Sequence, residues 1–279
     1  MTEPQRPSPS PLSVSEPWDL VSSGYAAEAE AMMLPFTRDA IALARPGPEA
    51  RVLDVATGPG VLALELAPHV KRVDAIDFSP AMLNEFEAKR KTLGIDNAFP
   101  QRGDGHALPF EAGSFDAAFS MFGLMFFPDR PKGFAELFRV LRPGGVAVVS
   151  SWAPVDRSPL MILFIGALRA ADATRPAPQY NALSLENPEL FRNELAAAGF
   201  EQIAIGAYEH GVSVASPEHY WQVISRAAAP LAVLKKRLGP DEWQRQAALA
   251  EGYVREHIRE PQTLRTTAYL AVARRPVGS

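Results

Sequence analysis

Residues 52–60 read VLDVATGPG. A short apolar run carrying one carboxylate meets a turn with two glycines, and the apolar segment VLALELA follows at once. A strand that stops at such a turn and hands over directly to a helix predicts a βα unit. A chain that repeats the unit must lay its strands in parallel, because each helix crosses back over the sheet. The repetition is present. VDAI at 73–76 predicts a second strand, and Ser79 with Pro80 predicts a helix start, serine as the cap and proline in the first turn. Further strands are predicted over 99–102, 115–119 and 146–152, with a helix over 131–141 and a turn at RPGG, residues 142–145.

The flanking segments are less regular. Ala29, Met32, Met33, Phe36, Ala40 and Leu43 recur at steps of three and four, which predicts one or two helices over 18–44. Residues 1–15 are rich in proline and serine and are expected to form a flexible tail; residues 16–279 are expected to form a single domain. In the second half, helices are predicted over 160–171 and 188–198, with a loop at 176–181. A strand follows over 200–214, bent near Gly206 or Gly211, and a last strand over 263–273. Between these two strands, residues 216–258 read as helix broken at Pro230 and at Gly239 and Pro240. This insert is expected to be a helical lid over the open end of the sheet, placed before the last strand.

Composition excludes several functions. The formal net charge of −4 argues against a nucleic-acid surface, which needs a basic patch. The absence of cysteine rules out disulfides, thiolate metal sites and a cysteine nucleophile, and it fits a cytoplasmic location. No recognisable metal-ligand constellation occurs. No apolar run approaches the ~20 residues that span a bilayer, and the N-terminus lacks the basic start and apolar core of a signal peptide.

The chemistry collects at predicted strand ends. Gly58 and Gly60 let the backbone bend and approach a ligand, and the N–H groups at the following helix start suit an anion. With Ala63 they also fit the G-x-G-x-x-G/A dinucleotide pattern. Asp77 lies just past the second strand, where an acid in folds of this kind accepts from ribose hydroxyls; it also precedes a helix that it could cap. GDGHALPF at 103–110 follows the third strand, and Asp104 there suits an adenine amino group or an ordinary turn. Ser120, Met121 and Phe122 end the fourth strand, on the edge where open α/β sheets bind ligands.

Taken together and in order, LDVATGPG, AIDFSPAML, GDGHALPF, FDAAFSMFG and ELFRVLRPGGVAVV resemble the class I, seven-strand S-adenosylmethionine-dependent methyltransferases, in the style of the quinone-biosynthesis branch. The resemblance implies an α/β, Rossmann-like, seven-stranded, mostly parallel sheet with helices on both faces, and S-adenosyl-L-methionine as cofactor. It implies that Asp54, Thr57, Gly58 and Gly60 face the methionine moiety and that Asp77 holds the ribose hydroxyls. Phe78 and Met82 would flank the adenine. Gly103, Asp104, Gly105 and the His106 backbone would meet the adenine edge. Ser120 would lie near the methionyl end, with Met121 and Phe122 near the transferred methyl. Ala56 departs from the family, many of whose members carry glycine there.

The acceptor is expected to be a small, aromatic or apolar molecule, because Tyr25, Phe122, Met125 and Trp152 suggest an apolar pocket; the same residues could simply pack beneath the lid. No catalytic base is identifiable. Two other functions stay open from these residues: an NAD(P)-dependent oxidoreductase, which the glycine pattern fits formally, and a non-catalytic S-adenosylmethionine-binding protein.

Overall fold

The computed structural model describes residues 10–174 and 185–278. Residues 1–9 of the expected tail and the loop expected at 176–181 lie outside the described residues. Seven strands form one sheet: β1 (Arg51–Val55), β2 (Arg72–Asp77), β3 (Ala98–Arg102), β4 (Phe115–Ser120), β5 (Leu141–Trp152), β6 (Glu201–Val214) and β7 (Gln262–Arg274), in the order β3-β2-β1-β4-β5-β7-β6. The first five pair in parallel, and β7 runs antiparallel to both β5 and β6. The chain steps outward from β1 to β3 and then returns to the other side of β1 as β4. The tips of β1 and β4 therefore flank the topological switch point, where open α/β sheets bind ligands.

Successive residues of β1 from Val52 to Val55 are all buried, as are those of β4 from Ala117 to Ser120. Consecutive burial means that both faces of the sheet are covered, as expected for parallel strands flanked by helices. Those helices are α1 (Glu16–Gly24), α2 (Glu30–Ala44), α3 (Val61–Leu66), α4 (Pro80–Thr92), α5 (Arg130–Val140), α6 (Pro159–Ala171) and α7 (Pro188–Ala197). The edge strand β6 instead alternates exposed with half-buried residues. Its irregularity falls between Glu201 and Ala204, where Gln202 has φ 51°, and pairing then runs unbroken through Gly206 and Gly211 to Val214. The bend expected at a glycine is thus displaced. Those two glycines serve close packing instead: a Cβ on Gly211 would lie 2.4 Å from Thr263 Cγ2.

The N-terminal helices are interrupted once. A π-helical turn, Tyr25–Ala29, joins α1 to α2; such turns put one extra residue into a helix and turn its side chains. The insert between β6 and β7 is three helices, α8 (Pro217–Ala227), α9 (Ala229–Leu238) and α10 (Pro240–His257), broken where Pro230, Gly239 and Pro240 break the pattern. Its apolar faces close on α6: Leu160, Leu163 and Ala167 meet Tyr220, Trp221, Ala250 and Val254. Behind them, Phe164 meets Leu231 and Leu234. α1 packs against α4 on one side and against α8 and α9 on the other.

Gly60, at the start of α3, has φ 85°, and a Cβ there would lie 2.7 Å from the buried Phe86 ring of α4. Gly58 has φ 55° and nothing within 4 Å of that point. The two glycines therefore do different work, one for packing and one for open space. Gly60→Ala combines left-handed strain with an overlap and should cost about 2–4 kcal/mol, lowering Tm by roughly 5–15 °C. Gly58→Ala should cost about 1 kcal/mol, from strain alone. Thermal melts of the two variants check this, and equal losses would contradict the distinction.

Candidate functional site

The site starts at the turn after β1. Asp54 is buried, accepts a hydrogen bond from Thr57 Oγ1 at 2.6 Å and is also bonded by the Ala63 N–H. It thereby ties the turn to the first turn of α3. Burial pushes its carboxyl up to about 7, and the charge of Asp77 adds to the shift. The backbone beyond it is left-handed at Ala56 (φ 59°), Gly58 and Gly60. An alanine with positive φ is strained and needs room. Gly123, after β4, provides it: a Cβ on Gly123 would lie 2.3 Å from the Ala56 Cβ.

Asp77 ends β2 as a buried carboxylate. Its Oδ2 accepts from the Gly58 N–H at 2.8 Å and its Oδ1 from the Ser79 N–H at 2.9 Å. Burial outweighs these bonds and pushes its carboxyl up to about 6. The helix-capping role falls to Ser79, whose Oγ accepts from the Met82 N–H at 3.1 Å. Ser79 Oγ also donates to Asp19 Oδ1 at 2.6 Å, so that α1 is fastened to the same loop.

After β3, Gly103 and Gly105 keep the backbone low. A Cβ on Gly105 would lie 2.4 Å from the Phe127 ring. Asp104 Oδ1 accepts from the His106 N–H at 2.8 Å and lies 2.7 Å from His106 Nδ1. Burial acts to raise the Asp104 carboxyl, but these two bonds outweigh it and hold the group below its ordinary value. After β4, Phe122 is left-handed (φ 57°), donates its N–H to Ser150 Oγ at 2.9 Å and stacks on Trp152 with ring centroids 4.1 Å apart.

These pieces enclose a cavity of about 420 Å³, within the range of small-ligand sites. Ala56, Gly58, Asp77, Phe78 and Met82 line it along the β1 and β2 tips. The 103–106 loop lines one side, and Met121, Phe122 and Gly123 another. The remaining wall is apolar and aromatic: Leu12, Trp18, Tyr25, Phe126, Phe127 and Pro128. Trp18 sets the corner, edge-on to Tyr25 and tilted against Phe126, and donates its indole N–H to the Leu12 carbonyl at 2.9 Å. Among the described residues, no lysine or arginine lines the cavity.

Of the residues picked out in the sequence, Asp54, Thr57, Gly60, Ser120, Met125 and Trp152 stand behind the lining rather than in it. Asp54 and Thr57 hold the turn, and Ser120 Oγ accepts from the Leu124 N–H at 3.1 Å to hold the next one. Trp152 supports Phe122 from behind, and Met125 is buried, its sulfur 3.5 Å from Ser151 Oγ. None of residues 216–258 lines the cavity. The insert reaches it through the N-terminal segment, where Ala229 packs with Leu12, Val21 and Met82. Leu12 and Ser13 escaped sequence reading because a lone leucine in a proline- and serine-rich run shows no periodicity. Phe126 and Phe127, legible in the sequence as an apolar rim after the fourth strand, do line it, whereas Pro128 follows them in a turn with no pattern of its own.

Strand order, switch-point cavity and an acid at the tip of β2 define a nucleotide-binding α/β fold of the methyltransferase type. A family model described as a methyltransferase domain matches residues 52–145. The demethylmenaquinone methyltransferase of Thermus thermophilus is 36% identical over 182 residues, covering 60% of this chain and 81% of that one. An uncharacterised protein of Mycobacterium tuberculosis is 39% identical over 128 residues, 46% of each chain, so the chain spans about half the length of that relative. Among solved structures, the [4+2]-cyclase SpnF shares the fold with a TM-score of 0.61 at 22% identity, over 97% of each chain. The chain belongs to the class I S-adenosylmethionine-dependent methyltransferases, in the branch typified by quinone biosynthesis. S-Adenosyl-L-methionine is the cofactor of that family.

The two buried acids make the ligand-free protein sensitive to pH. A carboxyl whose pKa is raised on folding holds its proton more tightly folded than unfolded, so it subtracts stability as pH climbs from its unfolded to its folded value. For Asp54 that window runs from about 4 to about 7. Asp54→Asn keeps an acceptor for Thr57 and does not titrate. The Tm of the variant minus that of the wild type should therefore be more positive at pH 8 than at pH 5. Scanning fluorimetry across that range measures it, and a difference independent of pH would contradict the burial of the charge.

Proposed function

We propose that the protein transfers the methyl group of S-adenosylmethionine to a small aromatic or apolar acceptor in the cytoplasm. The observation that carries this reading is Asp77: a buried carboxylate at the β2 tip, bonded to the Gly58 N–H and facing a cavity with one aromatic wall and, among the described residues, no lysine or arginine. The charge favours this cofactor over a dinucleotide. S-Adenosylmethionine carries a sulfonium and an ammonium against one carboxylate and is cationic overall, whereas a dinucleotide brings an anionic pyrophosphate. Among the described residues the lining offers no lysine or arginine to pair with a pyrophosphate. Gly58, with open space where a side chain would stand, lets a ligand lie against the backbone.

In this reading Asp77 would accept from the ribose hydroxyls, with Phe78 and Met82 against the adenine. The bound cofactor supplies an activated methyl on sulfur. The chain's contribution is position and dryness. Trp18, Tyr25, Phe122 and Phe126 would hold a planar acceptor beside Met121 and exclude water, and alignment of this kind is worth about 7–11 kcal/mol. Tyr25 would act as a hydrogen-bond donor, because burial pushes its phenol up to about 12 and keeps the proton on at neutral pH. The named activity of the Thermus relative supports a ring-bearing acceptor. The net charge, and a lining without lysine or arginine among the described residues, argue for a small molecule over a nucleic acid.

Isothermal titration with S-adenosylhomocysteine and with NAD tests the reading, which requires the first to bind and the second to bind far more weakly. Asp77→Asn keeps an acceptor for Gly58 but loses the charge; it should weaken S-adenosylhomocysteine by roughly 10–100-fold, the value of hydrogen bonds to an ionised group, with the fold intact by circular dichroism. Unchanged affinity would remove Asp77 from the site.

A further inference from the structure

A second cleft, with a volume of about 450 Å³, lies between α1 and the helices α8 and α9 of the insert. It shares no lining residue with the cavity at the strand tips. The two are neighbours all the same: Val21, on the floor of the cleft, packs with Leu12 and Met82, which line that cavity. The floor is apolar, formed by Leu20, Val21 and Ala232. At one end Gly24 lets α1 and α8 touch, since a Cβ there would lie 2.2 Å from the Arg226 carbonyl oxygen.

The charges at this cleft are of one sign. Arg226, Lys235 and Lys236 line it, and among the described residues no acid does. Two of these cations are engaged from outside the lining. Arg226 pairs with Glu28 at 2.9 Å, and Lys236 pairs with Glu16, so each ties the insert to the N-terminal helices. Both pairs lie at the surface, where an ion pair contributes little and yields readily to another anion. Lys235 has no carboxylate partner; its ammonium stands 5.9 Å from the centroid of the Trp243 ring. Leu20, on the same cleft, is 55% exposed, which is unusual for so large an apolar side chain and leaves surface for a ligand to cover.

An apolar floor under a cationic rim suits an amphiphile. The floor takes the apolar part out of water, and the rim pairs with the head. The lining runs over residues 20–24 of α1 and 232–236 of α9, about one helical turn, or roughly 6 Å, on each. The apolar part is therefore short. An anionic bilayer fits less well, because the cleft is a concavity between helices and the chain as a whole carries a net charge of −4.

We infer that this cleft is a second ligand site, which takes a small amphipathic anion: a carboxylate or phosphate head on a short apolar body. Lys235 and Arg226 would meet the head, and Leu20 and Val21 the body. The inference does not depend on which reaction the cavity at the strand tips serves.

Octanoate is the probe, titrated into the full chain by calorimetry beside octanol and inorganic phosphate. Octanoate should bind about tenfold or more tightly than octanol, the value of bonds to a charged group, and more tightly than phosphate. Lys235→Ala, at an exposed position without an ion pair, should weaken octanoate by about tenfold and leave octanol within about twofold. Leu20→Ala should weaken both by about threefold. Both positions are exposed, so circular dichroism should show the fold intact. In methyl NMR of the wild type, the Leu20 and Val21 signals should move more than those of Leu12. The proposal is overturned if octanoate and octanol bind alike, or if Lys235→Ala keeps the wild-type affinity for octanoate. It is also overturned if Phe126→Ala, in the wall of the other cavity, abolishes octanoate binding while Lys235→Ala does not. Phosphate binding as tightly as octanoate would reduce the cleft to a plain anion site. Pelleting with phosphatidylglycerol vesicles, without binding of free octanoate, would make it a bilayer surface. Either result overturns the proposal as well.

Discussion

The bond from the Gly58 N–H to Asp77 Oδ2 joins the turn after β1 to the tip of β2, and most of the cavity is built around it. A buried carboxylate is costly unless hydrogen-bonded. Here the backbone of the two loops that frame the site provides the bonds, so the acid and the turn stabilise each other's position. Asp54 does the same one layer deeper, tying Thr57 to the start of α3. Both acids remain above their ordinary range. Burial disfavours the charged form of each.

Strain collects at the same place. Ala56 and Phe122, at the tips of the two strands that flank the switch point, both have left-handed backbone, and neither is glycine. Such residues persist only where their surroundings hold them. Phe122 is held by Ser150 and by stacking on Trp152. Ala56 is tolerated because Gly123 gives up its side chain. The departure from the family's glycine at 56 thus has a local compensation on the neighbouring strand tip, and the two positions should be read as a pair.

The cover over the site is as specific as its floor. Asp19 takes a hydrogen bond from Ser79 Oγ and so ties α1 to the Asp77 loop. Glu28 pairs with Arg226 at 2.9 Å, tying the N-terminal helices to the insert. The insert is thus a second layer behind the first, and the aromatic wall is shared between the N-terminal segment, with Leu12, Trp18 and Tyr25, and the turn after β4, with Phe126 and Phe127. This matters for chemistry, because the same fold serves a [4+2]-cyclase. A shared fold does not fix the reaction, which is decided by the residues of the site.

What could be read along the chain is what local pattern encodes. The βα order, the glycine turn at 58–60, the acid at 77 and the breaks in the 216–258 helices all follow from short-range rules of strand, turn and cap, and the fold carries each of them. Contacts between distant segments left no such trace. Gly60 and Gly58 look alike in sequence, but only Gly60 meets Phe86 from another helix. Met125 and Trp152 look like pocket residues, but Phe122 and its neighbours stand in front of them. The sequence by itself determined the sheet and the acid that marks its ligand edge, since periodicity and turn chemistry act over a few residues. Only the tertiary structure decided what walls that edge, since a leucine or tryptophan near the N-terminus becomes a wall only when α1, α4 and α9 bring Leu12, Trp18 and Met82 together.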